Sequence, residues 1–159
     1  MNDFLNSLPD TWMGRFAVEN FWAWPLLENL HFVGLCALVG GLLVIDLRVI
    51  GIGPPKNIPI KPAMNLIPFV TIAFSINLIT GLFFVCANPS YFDNIAFQWK
   101  CALMVLAGAN ALWFWFGEHT KLSNLPDGVD TPMSAKVIAA GSLALWAGVI
   151  VLGRLLPYF

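Results

Sequence analysis

Hydrophobic positions along the chain form four long runs that are separated by short polar segments. The runs cover residues of about 25–52, 63–87, 95–118 and 133–157. About 20 apolar residues suffice for a helix to cross the hydrocarbon core of a bilayer, which is roughly 30 Å thick. Short connections favour antiparallel neighbours in one bundle. The pattern therefore predicts an all-α fold, an integral membrane four-helix bundle in which residues 1–159 form a single domain.

A further short helix is predicted ahead of the first run. Ser7-Leu8-Pro9-Asp10 is typical of a helix start, and the next residues place several apolar side chains on one side. Such a helix would lie in the membrane interface, and an irregular leader is the alternative. The N-terminus lacks the basic region of a cleavable signal peptide, so we expect the first run to be retained.

Composition supports the membrane prediction and argues against a nucleic-acid partner. The chain is 58% hydrophobic and 11% charged, which lies outside the usual range for soluble domains. Its net charge is −1, with no basic stripe that would bind phosphates. Five basic residues lie on the side reached after the first and third runs, against three on the other side. The positive-inside rule then predicts that both termini lie outside the cytoplasm.

Ionisable residues within the runs predict one candidate site. Glu28 and His31 are one helical turn apart on the same face of the first helix. Lys100 near the start of the third run and Arg154 near the end of the fourth fall at the same level of an antiparallel bundle. Ionisable groups in hydrocarbon are costly and usually functional, so we expect these residues to converge at a site. His119 falls at the opposite end and is expected to be a solvated interfacial residue.

These residues match the requirements of a haem, which needs an imidazole, space and cations for two propionates. His31 would be the axial metal ligand, Glu28 would orient its ring, and Lys100 and Arg154 would face the propionates. Gly34 and Gly41 share the face of His31 and leave a groove for a porphyrin or, equally, for a neighbouring helix.

The second axial position has no candidate within the chain. It is either open or supplied by a homo-oligomer or a partner protein. An internal polar network of Glu28, His31 and Lys100 that joins the first and third helices is the alternative to any cofactor.

Several motifs resemble known families. Trp24-Pro25, Glu28-x-x-His31-x-x-Gly34, Asp46-Leu47-Arg48 and Phe97-Gln98-Trp99-Lys100 resemble a family of small four-helix bacterial membrane proteins that has no established activity. More distantly, the spacing of His31, Gly40-Gly41 and Arg48 is similar to that of membrane protoporphyrinogen oxidases (HemJ) and copper-resistance permeases (CopD).

The more distant resemblance implies haem b as cofactor and His31 as the residue that contacts it. The chain departs from the oxidases in the third run, where it carries Asn110 in place of a histidine. Neither oxidase activity nor a bis-histidine haem within one chain therefore carries over to it.

The leading prediction is a haem b protein that serves electron transfer, as an oligomer or as a subunit of a membrane complex. One alternative is a subunit without cofactor that only packs against a partner. Another is a copper permease, for which Cys36, Cys101 and Met104 would supply soft ligands, although the cysteines are also typical of small packing residues. Quinone near Trp22 and Trp99 is a further predicted partner.

Overall fold

The hydrophobic runs form helices in the computed structural model, which describes residues 2–126 and 129–159, with residues 2 and 3 described by their backbone alone. Eight α-helices make up most of this part of the chain, and it contains no β-strand, so the all-α prediction is confirmed. The helices are α1 (Asn2–Ser7), α2 (Trp12–Glu19), α3 (Ala23–Ile50), α4 (Ile60–Met64), α5 (Ile67–Ala87), α6 (Ile95–Gly117), α7 (His119–Ser123) and α8 (Met133–Leu155).

Four segments are long and apolar enough to cross a membrane: α3, α4 together with α5, α6, and α8 with the turn that follows it. Their ends lie close to those that the runs predict, except in the second run, which is interrupted between Met64 and Ile67. Pro68 lies in the first turn of α5, where a backbone N–H has no acceptor within the helix. The helix therefore restarts at this proline without losing a hydrogen bond.

The long helices pack in the order α5, α3, α8 and α6. Helix α3 contacts α5 on one side and α8 on another, and α6 packs against α8. Glycines permit the close approach of α5, because a Cβ added at Gly41 would lie 2.5 Å from Val70 Cγ2. The remaining edge of the bundle, between α5 and α6, has no comparable close backbone packing within the described ranges.

One end of the bundle, which we call the closed end, is where α3 ends and α8 begins. Arg48 of α3 donates a hydrogen bond to the Ile58 carbonyl, and Thr131 donates one to the carbonyl of Val49. Asp46 is buried beside Ser142 of α8. The apolar cluster at this end includes residues of α4 and α7 and comprises Ile45, Val49, Ile60, Ala63, Met64, Leu122, Ala135 and Ala139.

The segment ahead of α3 is helical, as predicted, but its apolar side is covered by the bundle. Thr11 caps α2, because its hydroxyl accepts a hydrogen bond from a backbone N–H of the first turn at 3.3 Å. Phe16 of α2 packs against Phe83 of α5, with 5.7 Å between the ring centroids. Trp12, one helical turn earlier on the same side, also contacts Phe83, with 5.4 Å between the ring centroids, and it remains 70% exposed.

Candidate ligand-binding cavity

A cavity of about 210 Å³ lies at the other end of the bundle, which we call the open end. All four long helices contribute to its wall, where α3 and α6 begin and α5 and α8 end. Glu28, His31 and Lys100 are its polar lining residues, so the structure brings together three of the six predicted site residues. Aromatic side chains line much of the remaining wall, namely Trp24, Phe32, Phe84, Tyr91 and Phe97.

The imidazole of His31 is oriented by α5. Its Nδ1 lies 2.7 Å from the hydroxyl oxygen of Thr80, which in turn lies 2.8 Å from the Ile76 carbonyl. A threonine hydroxyl has one proton, and the carbonyl can only accept it, so Nδ1 is the donor to Thr80. For the neutral imidazole, this assigns the Nδ1–H tautomer and leaves Nε2 with a lone pair for a ligand.

Glu28 does not orient the histidine ring, contrary to the prediction. Its Oε1 accepts a hydrogen bond from the indole Nε1 of Trp24 at 3.1 Å, one helical turn away. Thr80 takes the expected role, and it is 97% buried. The sequence marks Thr80 only as a polar residue within an apolar run, because its contact with His31 depends on the register between α3 and α5.

Lys100 extends along the cavity wall from α6. Its side chain passes Gly153 of α8, where an added Cβ would lie 3.5 Å from the ammonium nitrogen. Residues of the described part of the chain provide no ion pair and no hydrogen bond for Lys100. The open end therefore has a half-buried cation whose hydrogen-bonding capacity is unused.

Gly34 and Gly41 do not line the cavity. Of the two predicted roles, a groove for a porphyrin or for a neighbouring helix, the structure shows the second. A Cβ at Gly34 would lie 2.7 Å from the amide nitrogen of Asn77, and the equivalent position at Gly41 is covered by Val70. Both glycines thus face α5. The glycine of α5 that does line the cavity is Gly81, which the sequence did not single out.

Arg154 and His119 lie apart from the cavity. Arg154 follows Gly153, and the rotation of about 100° per residue directs it away from the cavity that Gly153 lines. Arg154 is therefore not placed to bind the propionate of a ligand in this cavity. His119 is half-buried and stacks on Trp115, with ring centroids 4.3 Å apart.

The predicted role of His31 as a metal ligand gains no support from its neighbours. Within residues 2–126 and 129–159, no three side chains of His, Cys, Asp or Glu converge as a metal ion would require. Cys36 is exposed, and neither it nor Cys101 lines the cavity. To a metal, the cavity offers one imidazole nitrogen and the Glu28 carboxylate, which is fewer ligands than a metal site needs.

Comparisons with protein-family models, with curated proteins and with solved structures find no match to this chain. The resemblances drawn from the sequence motifs thus remain predictions. Chemically, the cavity combines an acceptor at His31 Nε2, a cationic donor at Lys100 and a carboxylate at Glu28 within aromatic walls.

Proposed function

We propose that the chain is inserted in a bilayer, with its four apolar segments spanning it. Large apolar side chains on the outside of the bundle support this, such as Val105 at 72% and Phe116 at 81% exposure. Exposed tryptophans near both ends of α6, Trp99 and Trp113, match the aromatic belts at membrane interfaces. Four spans place both termini on one side, and the basic residues favour the periplasmic side of a bacterial inner membrane.

In that setting the cavity at the open end binds a small lipid-soluble ligand. The observation that carries this proposal is the unused hydrogen-bonding capacity of His31 Nε2, on a side chain that lines the cavity together with Lys100. His31 lies about 12 Å along α3 from its first residue, at 1.5 Å per residue. Polar groups at such depth are costly unless they have partners, so a bound ligand would offset that cost.

Extraction of the purified protein tests this proposal. Protein is purified in a mild detergent, extracted with organic solvent, and the extract is analysed by mass spectrometry. Gly81→Leu adds a large side chain at the cavity wall, and its Cβ meets no atom within 4 Å. Gly108→Leu is the matched control, because it also meets open space but lies outside the cavity wall. We expect one compound to be enriched in wild type and Gly108→Leu and depleted in Gly81→Leu; equal extracts would refute ligand binding there.

Haem b is a second candidate, favoured by the free Nε2 of His31, which is the donor that axial ligation needs. Size argues against it. The cavity holds about 210 Å³, whereas sites for drug-sized ligands hold about 300–1,000 Å³, and a porphyrin is a large member of that class. His31 thus offers the nitrogen that haem b would need, but the cavity is too small for the porphyrin. Electron transfer remains a proposal that depends on haem binding.

Optical spectra of the purified protein, first oxidised and then reduced with dithionite, test whether it binds haem. A Soret band with sharpened bands in the reduced spectrum, lost in His31→Ala, would support axial ligation by this residue. A colourless protein, or a spectrum that survives the substitution, would remove His31 as a haem ligand.

The other predicted functions have less support. A copper permease would need soft ligands along one path, and Cys36 and Cys101 do not share the cavity. A subunit that only packs against a second copy or a partner remains a proposal, supported by the exposed apolar faces of α5 and α6. Co-purification of another chain by a tagged version would test it.

A further inference from the structure

We infer that the ligand at the open end is a neutral ring compound with carbonyl or hydroxyl groups, of the quinone class, which enters from the bilayer between α5 and α6. This inference rests on the proposed binding function and specifies its ligand. Trp22 and Trp99, near which the sequence predicted a quinone, are exposed and do not line the cavity. The inference therefore places the ring at His31.

The size and walls of the cavity match a single substituted ring. A cavity of about 150 Å³ accommodates benzene, so about 210 Å³ leaves room for a ring with a few substituents. The wall includes the flat side chains of Trp24, Phe84 and Phe97. Aromatic rings pack favourably in offset or edge-on geometries, and such walls suit a planar head group.

The polar groups indicate a neutral head group that both accepts and donates hydrogen bonds. Lys100 donates to a ring carbonyl of the quinone form, and Nε2 of His31 accepts from a ring hydroxyl of the quinol form. Glu28 and Lys100 carry opposite charges in one wall, so their charges offset each other. A carboxylate ligand would add a second negative charge near Glu28, which a neutral ring avoids.

The route of entry follows from helix packing. The long helices pack in the order α5, α3, α8 and α6, so α5 and α6 are the outer two, and the described residues show no close backbone packing between them. Gly81 of α5 and Phe97 of α6 line the cavity on either side of this edge. An apolar tail on the ring would extend from the cavity through this edge into the lipid.

Binding of a short-tailed substituted 1,4-benzoquinone to the detergent-solubilised protein tests the inference, with quenching of tryptophan fluorescence as the readout. We expect saturable quenching in wild type and in Gly108→Leu, with a dissociation constant raised at least about tenfold in Gly81→Leu. Lys100→Met keeps the aliphatic stem and removes the donor, and we expect it to weaken binding by about tenfold. Quenching that is linear in quinone, or equal in all four proteins, reports partition into the micelle and overturns the inference.

Decanoate, a carboxylate of similar size, distinguishes a wrong ligand class from a failure of the binding function. We expect it not to displace the quinone. If decanoate binds in a manner sensitive to Gly81→Leu and the quinone does not, the ligand class is wrong while the binding function stands. If neither binds and the extracts of wild type and Gly81→Leu are equal, the binding function itself fails.

Discussion

The two ends of the bundle differ in what their polar side chains contact. At the closed end, Arg48 and Thr131 donate to backbone carbonyls of other segments, and Glu118 accepts from Lys121 and Ser134. These bonds join α3 to the following connection, and α6 and α7 to α8. These side chains thus hold elements together, although one carboxylate oxygen each of Asp46 and Glu118 is buried at this end without a partner among the described residues.

At the open end, polar groups are oriented but retain unused capacity. Thr80 orients His31 through Nδ1 and leaves Nε2 free, and Lys100 has no ion-pair partner among the described residues. The helices that converge there surround a cavity, whereas α4 and α7 contribute to a buried cluster at the closed end. The difference indicates that a polar residue of an apolar helix is a binding candidate when it lines a cavity and its fixed neighbours leave it a free donor or acceptor.

The largest effect is expected from the apolar cluster of the closed end. Leu122 is fully buried there, so Leu122→Ala should lower the free energy of unfolding by about 2–5 kcal/mol through lost burial and the cavity left behind. Reversible denaturation in detergent measures this, with Leu106→Ala on an exposed face of α6 as the control. Ligand content per folded protein should not change. Loss of ligand without loss of stability would contradict the division between the two ends.

Gly34→Ala is expected to have the next largest effect. The added methyl group would lie 2.7 Å from the Asn77 amide nitrogen, so either Asn77 gives up its hydrogen bond to the Ala73 carbonyl or α3 and α5 separate, at a cost of about 1–3 kcal/mol in stability. Gly40→Ala on the same helix meets no atom within 4 Å and should stabilise the protein by roughly 0.5–1 kcal/mol. Equal effects of the two substitutions on unfolding would argue against helix packing as the role of Gly34.

Thr80→Val tests the orientation of His31 and should lower the free energy of unfolding by less than Gly34→Ala does. Hydrogen bonds between membrane helices are worth about 0.6 kcal/mol on average and at most about 1.7 kcal/mol. Thr71→Val is a matched control, since Thr71 makes the same bond to the carbonyl four residues earlier but lies on an exposed face. Nitrogen NMR of labelled histidine should report the Nδ1–H tautomer of His31 in wild type and in Thr71→Val. A tautomer unchanged in Thr80→Val would show that another group fixes the ring.

The helices and the convergence at the open end could be predicted because they depend on local features. Apolar runs and short connections place Glu28, His31 and Lys100 at one level without knowledge of side-chain packing. The roles of Gly34 and Thr80 could not be predicted in this way. They depend on the rotation and register of α5 against α3, which the nearly uniform hydrophobicity of both helices leaves open.

Arg154 illustrates a limit of the same kind. Its level in the bundle is predicted correctly by antiparallel connectivity, since its neighbour Gly153 lines the cavity. A rotation of one residue separates a lining position from an exposed one. The position of a residue along the bundle axis follows from counting residues along its helix. The direction in which its side chain points depends on how the neighbouring helices pack.

The smallest effect is expected from Asp130 and Lys136, an ion pair at the surface of the closed end. The Lys136 ammonium donates to Asp130 at 2.8 Å and, together with the Thr131 N–H, holds the pKa of this carboxyl below its usual value. A lowered pKa in the folded state stabilises the protein above the unfolded value of about 4, and that contribution is lost as pH falls through the folded pKa. The carboxyl is fully exposed, so water and salt screen the pair strongly.

Unfolding midpoints of wild type and Asp130→Asn measure this contribution. We expect a small difference at about pH 6 that disappears below about pH 3. In a Lys136→Met background the difference at the higher pH should shrink, because only the backbone donor of Thr131 remains. A difference that instead grew as the pH fell would mean that folding raises the pKa of Asp130. This would contradict the hydrogen bonds from Lys136 and Thr131 to its carboxylate. A large pH-independent difference would assign to Asp130 a structural role like that of the bonded groups elsewhere at the closed end.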